Sequence, residues 1–238
     1  MEDPFQIIRA VFRYSDRMTT SSAPEPGTRA RRADAERNRD RILTAAREMF
    51  AESGLQVPMS EIARRAGVGI ATLSRNFADR ESLIAAVFAD AMTAYADATT
   101  LALADPDPWH GFCALVEKVC GMQAADRGFS VVLTMAFATA PDFEAERARS
   151  HRAFVKLVAR AKAAGDLRPD FSPQDLPLIL MANAGVIAAT RDSAPQAWRR
   201  LVGYLLQACA AESAKPLPAE VPARQMYRAM LGGGAARP

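Results

Sequence analysis

"GVGIATLSRNF", residues 67–77, sets two glycines and a run of small residues around a single arginine, in a helix too short to be stable alone. Just upstream, MSEIARRAG (59–67) reads as a short helix with Ile62, Ala63 and Ala66 on one face and Gly67 as its stop. Two short helices separated by Gly-Val-Gly form a helix-turn-helix. Winding residues 70–77 at about 100° per residue puts Leu73 and Phe77 on one side, where Val68 can join them against a preceding helix. The other side presents Ala71, Thr72, Ser74 and Arg75, small or polar groups that a tight core does not use. A helix of this size fits a DNA major groove about 12 Å wide. Arg75 can donate a bidentate pair to guanine there, and Ile70 or Ala71 can meet a thymine methyl.

The charge distribution agrees with a polyanion partner. Residues 1–27 hold three Arg against four acids, residues 28–80 eleven Arg against seven acids, and residues 81–238 sixteen basic against sixteen acidic side chains. The excess therefore sits in the stretch around the helix-turn-helix, and all of it is arginine, the side chain suited to bidentate phosphate contacts. Half of the 238 residues are hydrophobic, enough for one sizeable core or two modest ones. Alanine and arginine are abundant and β-branched runs scarce, so the expected class is all-α. No apolar stretch approaches the roughly twenty residues that a membrane span needs. Three cysteines, an odd number in apolar surroundings, fit reduced thiols in the cytoplasm.

Four segments are expected. Residues 1–33 include TTSSAPEPGTRARR (19–32) and read as a flexible arm. MEDPFQIIRAVFRYSDRM (1–18) is not a signal peptide, because acids precede its apolar stretch and arginines interrupt it. Met18 opens a run that looks like an ordinary start, so translation from Met18 is an expectation, with Arg29, Arg31 and Arg32 near the flanking minor groove. Residues 34–80 form the helix-turn-helix domain; Ile42, Leu43, Ala46, Met49 and Phe50 stripe its first helix and Gly54 ends it. Residues 81–210 read as further helices. The fourth is striped by Leu83, Ile84, Val87, Phe88, Ala91 and Tyr95, and the rest lie near 109–123, 129–137, 142–164, 177–190 and 195–210, the last opened by a Ser193/Gln196 capping box. Residues 211–238 read as a tail with at most a weak helix near 223–231.

RILTAAREMFAESG (41–54), IARRAGVGIATLSRNF (62–77) and DRESLIAAVF (79–88) together resemble the N-terminal domain of TetR-family transcriptional regulators in order, spacing and glycine placement. The resemblance implies DNA contacts from Ser60, Gly69, Ile70, Ala71, Thr72, Ser74, Arg75, Asn76 and Arg80. Ser74 stands where the family commonly has a phosphate-binding tyrosine, Asn76 where it has histidine, Arg80 where it has lysine, and Pro58 where it often has a capping threonine. It also implies a helical C-terminal domain that dimerises and holds a small, often apolar ligand, giving a repressor released from its operator. The residues suggested for that ligand are Phe88, Met92, Tyr95, Trp109, His110, Phe112, Val116, Phe129, Thr134, Met135, Phe137, Met181 and Asn183, each of which also suits a core.

A homodimer is expected because one short recognition helix reads only a few base pairs. Trp198, Leu201, Val202, Leu205 and Cys209 form one stripe, and Ala182, Gly185 and Ala189 are small enough for helices to approach closely. Pairing them about a two-fold axis makes a four-helix bundle, and the double-stranded DNA operator becomes an inverted repeat. No cofactor is expected. His110 and Cys113 share a helix face, but no further metal ligands follow at a recognisable spacing, and no catalytic motif is present. The other readings are a constitutive DNA-binding regulator without effector, and an enzyme or scaffold that keeps an unused helix-turn-helix.

Overall fold

Caps and left-handed glycines divide this chain into its helices. The computed structural model describes residues 26–134, 140–213 and 215–232. Met18, Met135 and Phe137, and the side chains of Arg29, Arg31 and Arg32, lie outside the described residues. Two compact units are distinguished, one up to Asn38 and one from Arg39 onward. Helix α1 spans Pro26–Ser53, so helical backbone starts before Asp34, where the sequence pattern puts the onset of order. Within the first unit Arg37 donates to Asp34, one turn back along α1.

From Arg39 onward the order is the rest of α1, then α2 (Met59–Ala66), α3 (Ile70–Asn76), α4 (Arg80–Ala104), α5 (Pro108–Ala125), α6 (Arg127–Leu133), α7 (Pro141–Ala164), α8 (Asp175–Thr190), α9 (Ala197–Cys209), a 3-10 turn (Ala211–Ser213) and α10 (Ala223–Gly232). Among the described residues no strand forms; one isolated antiparallel bridge joins Leu167 to Ala210. None of the described helices is long and apolar enough to cross a membrane. The chain is all-α, as the composition and periodicity predict.

Aspartates open three of the body's helices by accepting from otherwise unpaired N–H groups. Asp79 and Ser82 make a capping box at α4, Asp107 accepts from Trp109 and His110 at α5, and Asp126 accepts from Phe129 at α6. The carbonyls that end α4 are met by Arg160 of α7, which donates to Leu103 and Asp105. The Ser193/Gln196 box does not form. The chain turns twice after α8, so Gln196 becomes the residue preceding α9, with no side-chain cap, and its amide oxygen instead accepts from Arg199. Pro177 falls in the first turn of α8, where its missing N–H is not required.

α4 lies along α7 and α5, and α5 also meets α6, α7, α8 and α9. An aromatic series links α1 to the body: Phe88 stacks on Phe50 at 6.2 Å and lies 6.3 Å from Phe129. Gly128 permits this, since a Cβ there would sit 2.4 Å from the Phe88 ring. A second aromatic group, Trp109, Phe112, Phe154 and Phe171, fills the space between α5 and α7. Cys120 and Cys209 are buried and Cys113 half-buried; burial pushes the Cys113 and Cys120 thiols up to about 12 and that of Cys209 to about 11. They remain protonated and unreactive.

Candidate nucleic-acid interface

α2 ends because Gly67 adopts φ 63, a left-handed conformation that favours glycine, and its N–H bonds back to Ala63 and Arg64. Arg41 of α1 donates to the Gly67 carbonyl at 3.0 Å, and a Cβ at this position would lie 2.4 Å from that guanidinium. The turn then passes through Val68, whose N–H bonds to Ala63, and Gly69, which opens α3 in extended backbone. Leu73 and Phe77 are buried, and the Arg39 guanidinium lies 4.6 Å above the Phe77 ring. Ile70, Ala71, Ser74 and Arg75 are exposed, while Thr72 and Asn76 are half-buried. The winding of residues 70–77 thus assigns inner and outer faces as expected.

The outer groups are pre-positioned by their own helix. Arg75 lies along α3, its Nε donating to the Ala71 carbonyl at 3.1 Å and an Nη to Thr72 Oγ1 at 3.3 Å. Asn76 Nδ2 donates to the Thr72 carbonyl at 2.8 Å. Ser60 is exposed in the first turn of α2, and Gly69 is exposed with open space on the side where a Cβ would stand. Arg80 is also engaged inside the domain. It is half-buried, and one of its terminal nitrogens donates to the carbonyls of Leu55 and Val57, closing the loop before α2.

Other arginines of the basic stretch are similarly engaged. Arg65 bridges Glu48 and Glu52 of α1, and Arg47 donates to the Val87 carbonyl of α4. Part of the arginine excess therefore frames the domain. Arg41 and Arg47 have no local signal in the sequence, because their carbonyl partners are distant along the chain.

In the body, a cavity of about 370 Å³ is lined by Tyr95, Leu133, Arg147, Phe154, Leu180 and Met226, among others. Burial pushes the Tyr95 phenol up and the Arg147 guanidinium down. A groove of about 400 Å³ between α4 and the start of α7 includes Met92. The other ligand candidates fall elsewhere. Phe88, Phe112, Val116 and Phe129 are core, and Trp109 stacks on Phe112. His110 is exposed and bonded to Asp105 at 2.7 Å, so it is no pocket anchor. Thr134 closes α6 by donating to Val131, and Met181 is half-buried on α8. Asn183 is buried and donates to the Cys120 carbonyl and to Gln123. Arg147, His151 and Met226 line the cavity without any advance sign in the residue pattern.

The candidate dimer residues divide in two. Ala182, Gly185 and Ala189 are exposed on α8, and Leu201 and Leu205 are partly exposed on α9. Trp198, Val202 and Cys209 are buried within the chain's own fold, Trp198 lying against Gly121 of α5. Leu178 and Tyr204, exposed beside the first group, extend that apolar face.

Residues 42–87 match the family model described as bacterial regulatory proteins, tetR family, and residues 107–209 match the model for the SbtR-like transcriptional regulator C-terminal domain. No curated protein matches the chain. Among solved structures, a TetR transcription regulatory protein from Mycobacterium vanbaalenii is 31% identical over 75% of this chain and 98% of that one, with a TM-score of 0.41. The TetR family transcriptional regulator PfmR from Thermus thermophilus is 20% identical over 71% and 98%, with a TM-score of 0.54. The transcriptional regulator FadR from Bacillus subtilis, solved with stearoyl-CoA, is 14% identical over 74% and 99%, with a TM-score of 0.57.

Proposed function

Since the chain belongs to the TetR family of transcriptional regulators, we propose that it is a repressor that grips an inverted-repeat operator as a homodimer and releases it when a small ligand enters the body. The observation that carries the DNA reading is the outer face of α3. Ala71, Ser74 and Arg75 are exposed there, while Leu73 and Phe77 anchor the same helix in the core. A rigid, shallow face of small groups lets the helix approach base edges, and Arg75 supplies a bidentate donor. Ser60, Thr72 and Asn76 lie around it, suited to phosphate oxygens. Dimerisation through the exposed face of α8 and α9 presents two such helices, giving specificity that one lacks.

Release follows if the ligand binds more tightly to a form whose two α3 helices are misaligned, since only differential affinity shifts an equilibrium. The 370 Å³ cavity supports the ligand part of the reading: its walls are mostly apolar, with Tyr95, Glu144, Arg147, His151, Gln174 and Tyr227 as polar groups. In this role the protein acts in the cytoplasm on DNA rather than as an enzyme.

The test is binding to DNA from upstream of its own gene, followed by fluorescence anisotropy against a scrambled duplex over a range of salt. The expected result is a marked preference for the upstream fragment and a steep loss of affinity with salt. Equal, weak binding to both duplexes would refute the repressor reading.

A further inference from the structure

The tail after α9 follows a specified path. Arg168 N donates to the Cys209 carbonyl and Ala211 N to the Asp166 carbonyl, fastening the end of α9 to the loop after α7. Arg168 is 5% exposed; its guanidinium is paired with Asp170 and donates to the carbonyls of Ala208 and Lys215. The Asp170 carboxylate accepts in turn from Leu217 N at 3.0 Å, and these contacts hold it down at about 2. This two-residue clamp directs the segment after Lys215 back to the body, where Pro222 starts the last helix by accepting from Gln225 and Met226.

α10 then sits at the cavity. Met226 is 4% exposed although its sequence neighbours Gln225 and Tyr227 are exposed, and Met226, Tyr227 and Met230 all line the 370 Å³ space opposite Tyr95 and Arg147. A ten-residue helix is not stable by itself, so its position depends on this docking. Among the described side chains of α10 only Met226 is buried, a small apolar contact for holding a helix in place. Methionine is also the side chain that best imitates a flexible apolar ligand.

The polar wall opposite points to the ligand's chemistry. Arg147 Nη1 and Nη2 donate to the carbonyls of Leu133 and Val132, and Glu144 lies 3.4 Å from Nε, so the guanidinium charge is already balanced. Among the described residues, Nε itself is buried with no hydrogen-bond acceptor. His151 and Tyr95 are the other titratable groups facing the space from α7 and α4. An acidic ligand would meet the Glu144 carboxylate beside Nε as a like charge, whereas an uncharged one offers Nε an acceptor without that repulsion.

We propose that α10 is a tethered gate over the cavity, and that the ligand is an uncharged, elongated apolar molecule with one acceptor oxygen or nitrogen that enters by displacing Met226. This rests on the reading that the body holds a ligand. When the competent, open form is the minor one, the helix lowers apparent affinity by the open fraction, so freeing the cavity tightens binding.

Two measurements test it, the second also on a chain shortened to Lys215. Hydrogen exchange over residues 223–230 reads docking without any ligand; it should be slow in the wild type and fast in Met226→Asp. Titration with the neutral fluorophore phenylnaphthylamine, and with its charged relative anilinonaphthalene sulfonate, reads access. With one molecule in ten open, both Met226→Asp and a chain ending at Lys215 should bind the neutral probe about tenfold more tightly than the wild type. The sulfonate should bind less tightly than the neutral probe in all three. Ala148→Trp, at an exposed position on the cavity wall, should abolish the neutral probe's signal. Equal exchange in wild type and Met226→Asp would overturn the docking. Slow exchange with unchanged probe affinity would overturn the gate, and tighter binding of the sulfonate would overturn the ligand class. A protected α10 with no probe binding in any variant would place the failure in the ligand reading itself and remove the gate with it.

Discussion

Arg75 and Arg80 carry the same charge into different surroundings. Arg75 is exposed and, among the described residues, bonded to its own helix at Ala71 and Thr72, contacts easily exchanged for a base edge. Arg75→Ala should therefore cost about 1–3 kcal/mol on the cognate operator while leaving weak non-specific binding nearly intact, read by titrating cognate and scrambled duplexes. An equal loss on both would make it a phosphate contact. Arg80 closes the Leu55 and Val57 carbonyls, so Arg80→Ala should lower the domain's stability by about 1–3 kcal/mol through the acceptors it orphans. A thermal melt with an unchanged midpoint, together with a salt dependence flatter by about one ion, would return it to the phosphate role. At Gly67, a side chain meets both a left-handed backbone and the Arg41 guanidinium. Gly67→Ala should cost about 1–2 kcal/mol, and less in an Arg41→Ala background, because the Arg41 hydrogen bond that a Cβ displaces is then already absent. Additive losses in denaturant unfolding would rule out the contact.

Between α4 and α5, a turn is braced by one pH-sensitive pair. Asp105, the residue after α4, accepts from His110 in the first turn of α5, and this hydrogen bond raises the imidazole and lowers the carboxyl. A raised folded-state histidine stabilises the fold fully below its unfolded value of about 6.5, and that contribution is lost as pH rises through the folded value. His110 is exposed, so the effect is confined to the junction. Its NMR titration midpoint should lie above about 6.5 and fall in Asp105→Asn. A midpoint that does not move on removing the carboxylate would show that the pair is not formed in solution.

For the molecule as a whole, the proposed dimer surface is the outer face of α8 and α9. Gly185 has open space around it, Leu205 is partly exposed, and Leu178 and Tyr204 stand beside them. Gly185→Trp or Leu205→Arg should yield monomers by sedimentation that bind the operator far more weakly, with the helix content unchanged. Trp198→Ala acts inside the protomer and should instead lower stability by about 3–5 kcal/mol. A wild type monomeric at micromolar concentration would overturn the dimer, as would an operator mapped to a single asymmetric half-site.

Helix identity was legible in the residues because the causes of a helix are local: the recurrence of Leu83, Ile84, Val87 and Phe88 and the glycine after α2 both act within a few positions. The two faces of α3 followed from winding alone. A stripe states that a face is buried, not what it is buried against, and for that reason Phe88, Phe112 and Val116 suited a core and also a ligand; packing buries them. The same holds for charge. An arginine's contribution to the basic stretch is visible in the sequence, but whether its guanidinium faces solvent, as at Arg75, or a carbonyl far along the chain, as at Arg41 and Arg80, depends on which backbone the fold brings within reach. Tertiary structure also decided the course of the tail, since the Arg168–Asp170 clamp and the burial of Met226 join segments whose hydrogen-bonding and apolar partners are remote in sequence.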